Sequence, residues 1–266
     1  DKIRPYFGEC LTTMKAMNHL DLESKDGKAP GGFNYPLLEI GVPFIYMNAV
    51  GSQRDINTMV HEGGHAVHSF LSRNLSMTEF KNTPSEVAEL ASMSMEFFSM
   101  EQWSTYYKNE KELKRAKIEH LEGIIYFFPR CMMIDKFQHW VYTTKHTAEE
   151  RKQKWNDLTS EFGSSIINWE GQEKVKENMW QNVLHLFEVP FYYIEYGIAQ
   201  LGAIAMYKAY KELGDKALDN YMNALKLGYT KSIKEIYKTA GIKFDFSSDY
   251  VKELADFIKT ELIELK

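Results

Sequence analysis

The sequence VHEGGHAVHSF, residues 60–70, contains two histidines and a glutamate at a spacing that predicts both a helix and a metal site. On a helix His61 and His65, four residues apart, project from one face, close enough for both imidazoles to bind one metal ion. Glu62 follows the first histidine directly, where its carboxylate can reach a water at that ion. The pattern therefore predicts a helix with two metal ligands, a general base and an open coordination position.

The flanking residues predict that this helix covers residues 53–73. Ser52 and Asp55 have capping-box spacing at its start. An apolar stripe lies roughly opposite His61 and His65, so we expect the histidines to face a cleft and not the core. The stripe is formed by Ile56, Met59, Val60, Gly63, Val67, Phe70 and Leu71.

Gly63 and Gly64 each weaken such a helix by about 1 kcal/mol relative to alanine. Two explanations are open from the sequence. Either another backbone or a substrate approaches closely, or the glycines allow tight packing between helices.

The rest of the chain predicts a mainly α fold with a small β-sheet or hairpin before the helix of residues 53–73. Residues 1–20 favour a strand or a short helix, and residues 23–32 form a turn-rich loop. Strands are expected at residues 33–35 and 43–48, with a further candidate at 242–246. The expected helices are 83–107, 110–128, 131–145, 148–162, 172–187, 190–213, 215–227, 232–240 and 248–265.

A catalytic metal site of this kind needs a third protein ligand. His68 continues the motif, but it lies about 10 Å of helix rise from His61, too far for both to bind one ion. We expect His68 either behind the ligands, where it supports them, or in the wall of the cleft.

The next helix offers Glu86, Glu89 and Glu96. Glu86 has capping-box spacing from Thr83, which gives its side chain a local role. Glu89 lies between small and apolar residues, where a carboxylate is costly unless it is paired or bound to metal. Glu89 is therefore the predicted third ligand, and Glu96 could orient a ligand histidine or face solvent.

Four segments resemble the M3 family of zinc oligopeptidases, closest to its oligoendopeptidase F branch. They are GGFNYPLLEIGVPFIYMN with VHEGGHAVHSF, then SEVAELASMSMEFF, then PFYYIEYGIAQ. The resemblance implies a zincin-like catalytic domain with one Zn²⁺ per chain, held by His61, His65 and Glu89, with Glu62 as the base. It also implies that an amino-terminal half of a longer protein closes a channel for short peptides.

The tyrosine segment, residues 185–196, concentrates groups that could stabilise an oxyanion. If Pro190 lies in the first turn of a helix, Tyr196 pairs with Tyr193 and Tyr192 at helical spacing. The resemblance implies that Tyr196, Tyr193 and His185 act on the reacting carbonyl. Tyr192 could bind substrate or pack in the core.

Further residues could bind substrate or belong to the packing and surface of the fold. Gly31, Gly32 and the strand at 43–48 could bind extended substrate by β-addition. His120, Asp135, His139 and Trp140 are expected to be packing or surface residues. Cys10 and Cys131 predict reduced thiols in a cytoplasmic protein.

We expect residues 1–266 to form one catalytic domain, with a strand-containing lead-in at 1–50, metal-site helices at 51–107 and a helical wall at 108–266. Because the net charge is −5, we expect no nucleic-acid partner. Because the sequence has no long apolar run, we expect no membrane partner. The expected activity is zinc-dependent endopeptidase cleavage of short peptides. The alternatives are a peptidyl-dipeptidase or carboxypeptidase, for which no cationic clamp is identified, and a non-catalytic peptide-binding scaffold.

Overall fold

The computed structural model describes residues 1–266 and confirms a mainly α fold with one small sheet. The strands are β1 (Leu20–Glu23), β2 (Gly32–Tyr35) and β3 (Phe44–Ala49). The helices are α1 (Pro5–Ala16), α2 (Gln53–Ser72), α3 (Thr78–Lys81), α4 (Ser85–Met100), α5 (Glu110–Thr143), α6 (Ala148–Phe162), α7 (Glu173–Asn178), α8 (His185–Glu188), α9 (Tyr193–Leu213), α10 (Asp215–Leu225), α11 (Ile233–Thr239) and α12 (Ser248–Leu265).

The sheet has the order β1-β3-β2, so β3 is central and β2 is an edge strand. β1 pairs with β3 in parallel, and β2 pairs with it antiparallel, with Gly32 opposite Met47 and Tyr35 opposite Phe44. The expected strands at 33–35 and 43–48 are confirmed with small changes in length. Because both neighbours of β3 are present, the expectation that residues 43–48 offer an edge to substrate is wrong. That edge belongs to β2.

The chain divides into two compact units. Unit 1 contains residues 1–119 and 199–266, and unit 2 contains residues 120–198. The boundaries fall inside α5 and α9, so each of these helices contributes residues to both units.

Within unit 1, α2 packs directly against α4. A Cβ atom added at Gly64 would lie 2.6 Å from the carbonyl oxygen of Ala91 and 2.6 Å from the Cα of Ser92, both in the backbone of α4. A Cβ added at Gly63 meets no atom within 4 Å. Tight helix packing therefore explains Gly64, and it does not explain Gly63.

Two tyrosines from later helices of unit 1 bind the backbone of α4. The Tyr221 hydroxyl on α10 donates to the carbonyl of Ala91 at 2.7 Å. The Tyr237 hydroxyl on α11 donates to the carbonyl of Glu86 at 2.9 Å. Both contacts are made by well-buried side chains, so they fix α4 from the side of α10 and α11.

Unit 2 has its own apolar core between α5, α6 and the segment before α9. Trp155 of α6 packs against Phe137 of α5 with a centroid separation of 5.0 Å. The other buried members are Met133, Ile134, Leu158, Val183 and Leu186.

Several predicted helix boundaries are wrong. Residues 110–128 and 131–145 belong to the single helix α5, which continues through Pro129. Proline removes one backbone hydrogen bond, and because Ile125 and Tyr126 are exposed there, water can bind the freed carbonyl. The expected helix 83–107 ends at Met100.

The expected helix 172–187 is broken into α7, a 3₁₀ turn at Met179–Asn182, and α8. Val183 and Leu186 turn into the core of unit 2 there, and that packing overrides the helical pattern. Residues 242–246 form no strand. Phe244 packs instead on Tyr237, with ring centroids 5.0 Å apart.

The two cysteines are reduced, and no helix is suited to a membrane. Cys10 and Cys131 are both buried free thiols. Burial raises the pKa of the Cys10 thiol to about 11 and that of Cys131 to about 12. No helix combines the length and the apolar character that crossing a bilayer requires.

Candidate metal centre

Helices α2 and α4 bring together the three residues predicted as metal ligands. One donor atom each from His61, His65 and Glu89 lies within 4.8 Å of the others. The Nε2 atoms of His61 and His65 lie 3.3 Å and 3.7 Å from Oε2 of Glu89. The two imidazole rings are nearly perpendicular, with centroids 5.0 Å apart. The geometry fits one ion held by three convergent donor atoms.

Glu89 is buried in the wall of this centre. Burial raises the pKa of its carboxyl group, but hydrogen bonding to His61 and the charges of the two histidines outweigh that effect and lower the pKa to about 2. The Ser92 hydroxyl donates to Oε2 of Glu89 at 3.0 Å. Glu89 is therefore ionised at neutral pH, as a ligand carboxylate must be.

Glu96 holds His61 from the side opposite Glu89. Its Oε1 lies 2.7 Å from Nδ1 of His61. A carboxylate on one ring nitrogen keeps the other nitrogen free to bind metal and raises its basicity. Of the two roles left open for Glu96, the structure favours the orientation of a ligand histidine.

The two histidines differ in protonation. Burial lowers the pKa of His61, yet Glu89 and Glu96 together raise it well above its usual value. Burial lowers the pKa of His65 to about 4, which keeps that ring neutral. A bound cation would displace the proton between His61 and Glu89, because metal and proton compete for the same nitrogen.

Glu62 lies beside the ligands on α2 and is itself buried. Burial raises the pKa of its carboxyl group to about 7, the range in which a carboxylate can both accept and return a proton near neutral pH. The Asn34 side chain of β2 donates to the backbone carbonyl of Glu62 at 3.2 Å. This contact attaches the edge strand to the metal-site helix.

His68 and Glu86 lie outside the ligand group. His68 is buried, so it does not lie in the cleft wall, one of the two expected places. Its Nε2 has no hydrogen-bond partner, so this atom supports no ligand by a hydrogen bond. The predicted capping box from Thr83 to Glu86 is wrong: α4 begins at Ser85 after Pro84, and no side chain caps it. Geometry, not capping, separates Glu86 from Glu89, because only Glu89 has a donor atom near both histidines.

A cavity of about 630 Å³ opens in front of His61 and Glu62. Gly31, Gly32 and Arg54 line it as well. Gly31 has a φ of 105°, a left-handed conformation that favours glycine. A Cβ at Gly32 would lie 2.6 Å from Cγ2 of Thr58, so only glycine fits between β2 and α2 without a shift.

The tyrosine segment forms an aromatic cluster in unit 2. The His185 ring lies 5.7 Å from Tyr196 and 5.2 Å from Tyr193, measured between centroids. Nε2 of His185 lies 3.4 Å from the Tyr196 hydroxyl, and Tyr192 packs on Tyr196 at 5.1 Å.

The expected helix start at Pro190 is wrong, since α9 begins at Tyr193. Phe191 between them has a φ of 67°, and its N–H donates to Oε1 of Gln138 at 2.9 Å. The cluster nevertheless contains all four residues that the sequence singled out, and their role stays a prediction.

The residues set aside from the chemistry lie in unit 2, where His120 is buried and the other three make ring or polar contacts. His139 lies 4.9 Å from Phe191 between ring centroids, and Trp140 lies 4.6 Å from His146. The Asp135 carboxylate accepts from Gln138 at 2.8 Å.

Sequence reasoning missed three residues of the site. Asn34 attaches β2 to Glu62, Ser92 donates to Glu89, and Arg54 brings a positive charge into the cavity. Ser92 could have been found, because it lies three residues after Glu89 on an otherwise apolar helix face. Asn34 and Arg54 depend on how β2 lies on α2, which no local pattern encodes.

Two imidazole nitrogens and one carboxylate oxygen are a donor set typical of catalytic zinc sites. The set lies on two helices of a mainly α fold, with a glutamate beside it and an open cavity in front of it. A helical fold with this arrangement of donors is typical of metallopeptidases of the H-E-x-x-H class. The sequence profile of peptidase family M3 matches residues 9–256, and the chain belongs to this family.

The curated relatives carry oligopeptidase names. The chain is 26% identical over 229 residues to oligopeptidase PepF of Bacillus subtilis (strain 168), covering 84% of this chain and 33% of the relative. It is 28% identical over 265 residues to the chromosomal oligoendopeptidase F of Lactococcus lactis subsp. cremoris, covering 93% and 41%. The chain thus spans well under half of the length of these relatives.

Solved structures agree on the fold. The structure of PZ peptidase A with inhibitor 2 superposes with a TM-score of 0.91 at 28% identity over 99% of this chain and 47% of that one. Oligoendopeptidase F from Enterococcus faecium gives a TM-score of 0.60 at 22% identity over 80% and 38%, a likeness of fold alone.

Proposed function

We propose that the chain is the catalytic portion of a zinc-dependent endopeptidase that hydrolyses internal bonds of short, unstructured peptides. The observation that carries this proposal is the convergence of His61, His65 and Glu89 beside a buried Glu62. Family membership supports the reaction class, and the names of the relatives support oligopeptides as substrates.

The three ligands would hold one Zn²⁺, which supplies Lewis acidity for water and for the scissile carbonyl. Glu62 takes a proton from the attacking water and passes it to the leaving amine. A carboxyl pKa of about 7 suits both transfers, since the group is a base before the attack and an acid after it. Glu96 keeps His61 in the tautomer whose Nε2 can bind the ion.

Substrate would add to the free edge of β2. Gly31 accepts a hydrogen bond from the N–H of Asn48 at 3.1 Å, so the alternation of an antiparallel pair turns the N–H and C=O of Gly32 away from β3. Those groups are available to an extended peptide. Main-chain recognition of this kind suits an enzyme that accepts many sequences.

Tyr196, with Tyr193 and His185, would donate to the oxyanion that forms at the carbonyl carbon, and Tyr192 would contact substrate. The support is chemical: hydroxyl and imidazole donors are grouped on one short segment. Removing one such donor in other enzymes costs about 10²–10³ in kcat.

We also propose a role for the rest of a longer protein and a location in the cell. Residues 1–266 would act as one catalytic portion, and an amino-terminal half would supply the opposite wall of the substrate channel, as the greater length of the relatives suggests. Two buried free thiols support the cytoplasm as its location.

The proposal is tested with Glu62→Gln in the full-length zinc-loaded protein. We expect one zinc per chain in both proteins and a loss of at least about 10³ in kcat on a quenched peptide, because glutamine cannot take a proton. Chelation should abolish wild-type activity, and added Zn²⁺ should restore it.

The matched control is Glu86→Gln, one turn before Glu89 on α4, which should keep wild-type activity. Wild-type rates in Glu62→Gln would contradict the assignment of the base. A wild-type protein that binds peptide without cleaving it would make the chain a non-catalytic scaffold.

A further inference from the structure

Arg54 is the one arginine or lysine that lines the cavity in front of the metal centre. Its guanidinium is exposed and has no ion pair or hydrogen bond within the chain. The neighbouring Asp55 carboxylate is already engaged, since it accepts from the N–H groups of Ser52 at 2.7 Å and Val50 at 3.0 Å. Arg54 therefore keeps its five donors for a group that enters from outside.

The edge strand β2 and the helix α2 run in the same direction. Gly32 lies against Thr58, and two residues later Asn34 binds the carbonyl of Glu62. A peptide that pairs antiparallel with β2 must therefore run against α2. Its carboxyl-terminal part leaves the metal centre in the direction of Arg54.

The distance from the metal centre to Arg54 determines which residue of such a peptide Arg54 can contact. Arg54 lies two helical turns before His61, about 10 Å along the axis. An extended chain advances about 3.3 Å per residue. A group held by Arg54 therefore belongs to about the third residue after the scissile bond.

We infer that Arg54 selects peptides that carry a carboxylate about three residues on the carboxyl side of the scissile bond. Arginine binds carboxylates with two parallel hydrogen bonds, and here it would determine specificity without touching the reacting atoms. The inference rests on the proposed peptidase function. The carboxylate is either the α-carboxylate of a substrate ending at that residue or an Asp or Glu side chain within a longer substrate.

The test uses four quenched peptides with one shared cleavage site and the full-length zinc-loaded enzyme. Two longer peptides, amidated at the end, have Glu or Gln at the third residue after the bond. Two shorter ones end at that residue as a free carboxylate or as an amide. We expect kcat/KM for the acidic member of at least one pair to exceed that of its neutral partner by about tenfold, the value of one charge-assisted contact.

In Arg54→Gln this ratio should fall to about one, and Arg54→Lys should keep part of it. Arg115→Gln is the matched control, because Arg115 pairs with Glu119 on α5 outside the cavity, and its ratio should match wild type. The longer pair responds if the source is a side chain, and the shorter pair responds if it is a free terminus.

Two results would overturn the inference: equal rates within both pairs, or a ratio that survives in Arg54→Gln. If the wild-type enzyme cleaves none of the four peptides, or if Glu62→Gln cleaves them as fast as wild type, the proposed function itself fails.

Discussion

Among single residues, Glu96 contacts His61 and would act on a bound metal only through that ring. Replacing Glu96 with alanine leaves Nδ1 of His61 without the carboxylate at 2.7 Å that orients the ring. We expect zinc affinity to fall by about 10–100-fold, since outer partners of ligand histidines contribute that much. Competition with a chromophoric chelator measures the dissociation constant.

Glu86→Ala on the same helix serves as the control, because Glu86 lies outside the ligand group, and its affinity should equal wild type. Glu96→Gln should retain part of the affinity, since the amide oxygen can still accept from His61. Equal zinc affinity in wild type and Glu96→Ala would show that the ring is held without Glu96.

The residues of the site were predictable to the extent that they obey local spacing. His61, Glu62 and His65 follow from helix periodicity, and Glu89 from the cost of an unpaired carboxylate among apolar neighbours. The predicted capping box, which favoured Glu89 over Glu86 as the third ligand, was wrong because Pro84 moves the start of the helix past Thr83. Arg54 was overlooked, because its role depends on the direction of β2 relative to α2.

At the scale of elements, the contact between α2 and α4 sets the geometry of the metal centre. Gly64→Ala would drive a methyl group into the backbone of α4 at Ala91 and Ser92. We expect the free energy of unfolding to fall by about 1–3 kcal/mol, the usual cost of overpacking. Zinc affinity should fall as well, because Glu89 moves away from α2 with its helix.

Gly63→Ala is the matched control on the same helix. A methyl group there meets no atom within 4 Å, so the gain in helix propensity should raise stability by up to about 1 kcal/mol. Urea unfolding followed by circular dichroism measures both variants. Equal stability of the two variants would mean that the helices can separate at no cost.

Elements were predictable where a single periodic pattern applies, as in α2, α6 and α12. The single helix α5 was not predictable, because a proline in the sequence usually indicates the end of a helix. On an exposed helix face a proline is tolerated, and α5 continues through it. The strand order was also not predictable from the sequence. Pairing of β1 with β3 joins residues 20–23 to 45–49, and nothing in the local sequence specifies that partner.

At the scale of the whole molecule, each of the two units contains one buried cysteine, which reports on the opening of that unit. Cys10 lies in unit 1 with the metal ligands, and Cys131 lies in unit 2. Metal that binds only the folded state stabilises it, by about 2.7 kcal/mol at a hundredfold excess over the dissociation constant. In mild urea, chelation should therefore speed alkylation of Cys10 more than that of Cys131.

Mass spectrometry of peptides after iodoacetamide treatment at pH 8 measures both rates. In native buffer both should be slow, because burial holds the pKa of each thiol at about 11 or 12. Equal acceleration at the two cysteines would show that the units open as one, which this prediction excludes.

The two tyrosines that bind α4 have a consequence for the synthesis of this protein. Tyr221 and Tyr237 lie more than a hundred residues after the helix that carries Glu89, yet they bind its backbone at Ala91 and Glu86. While the ribosome is still making residues 101–220, the helix with the third ligand lacks these attachments. We expect the nascent chain to acquire zinc late, after α11 has emerged, so a stalled or truncated product would carry the complete motif without a finished metal centre.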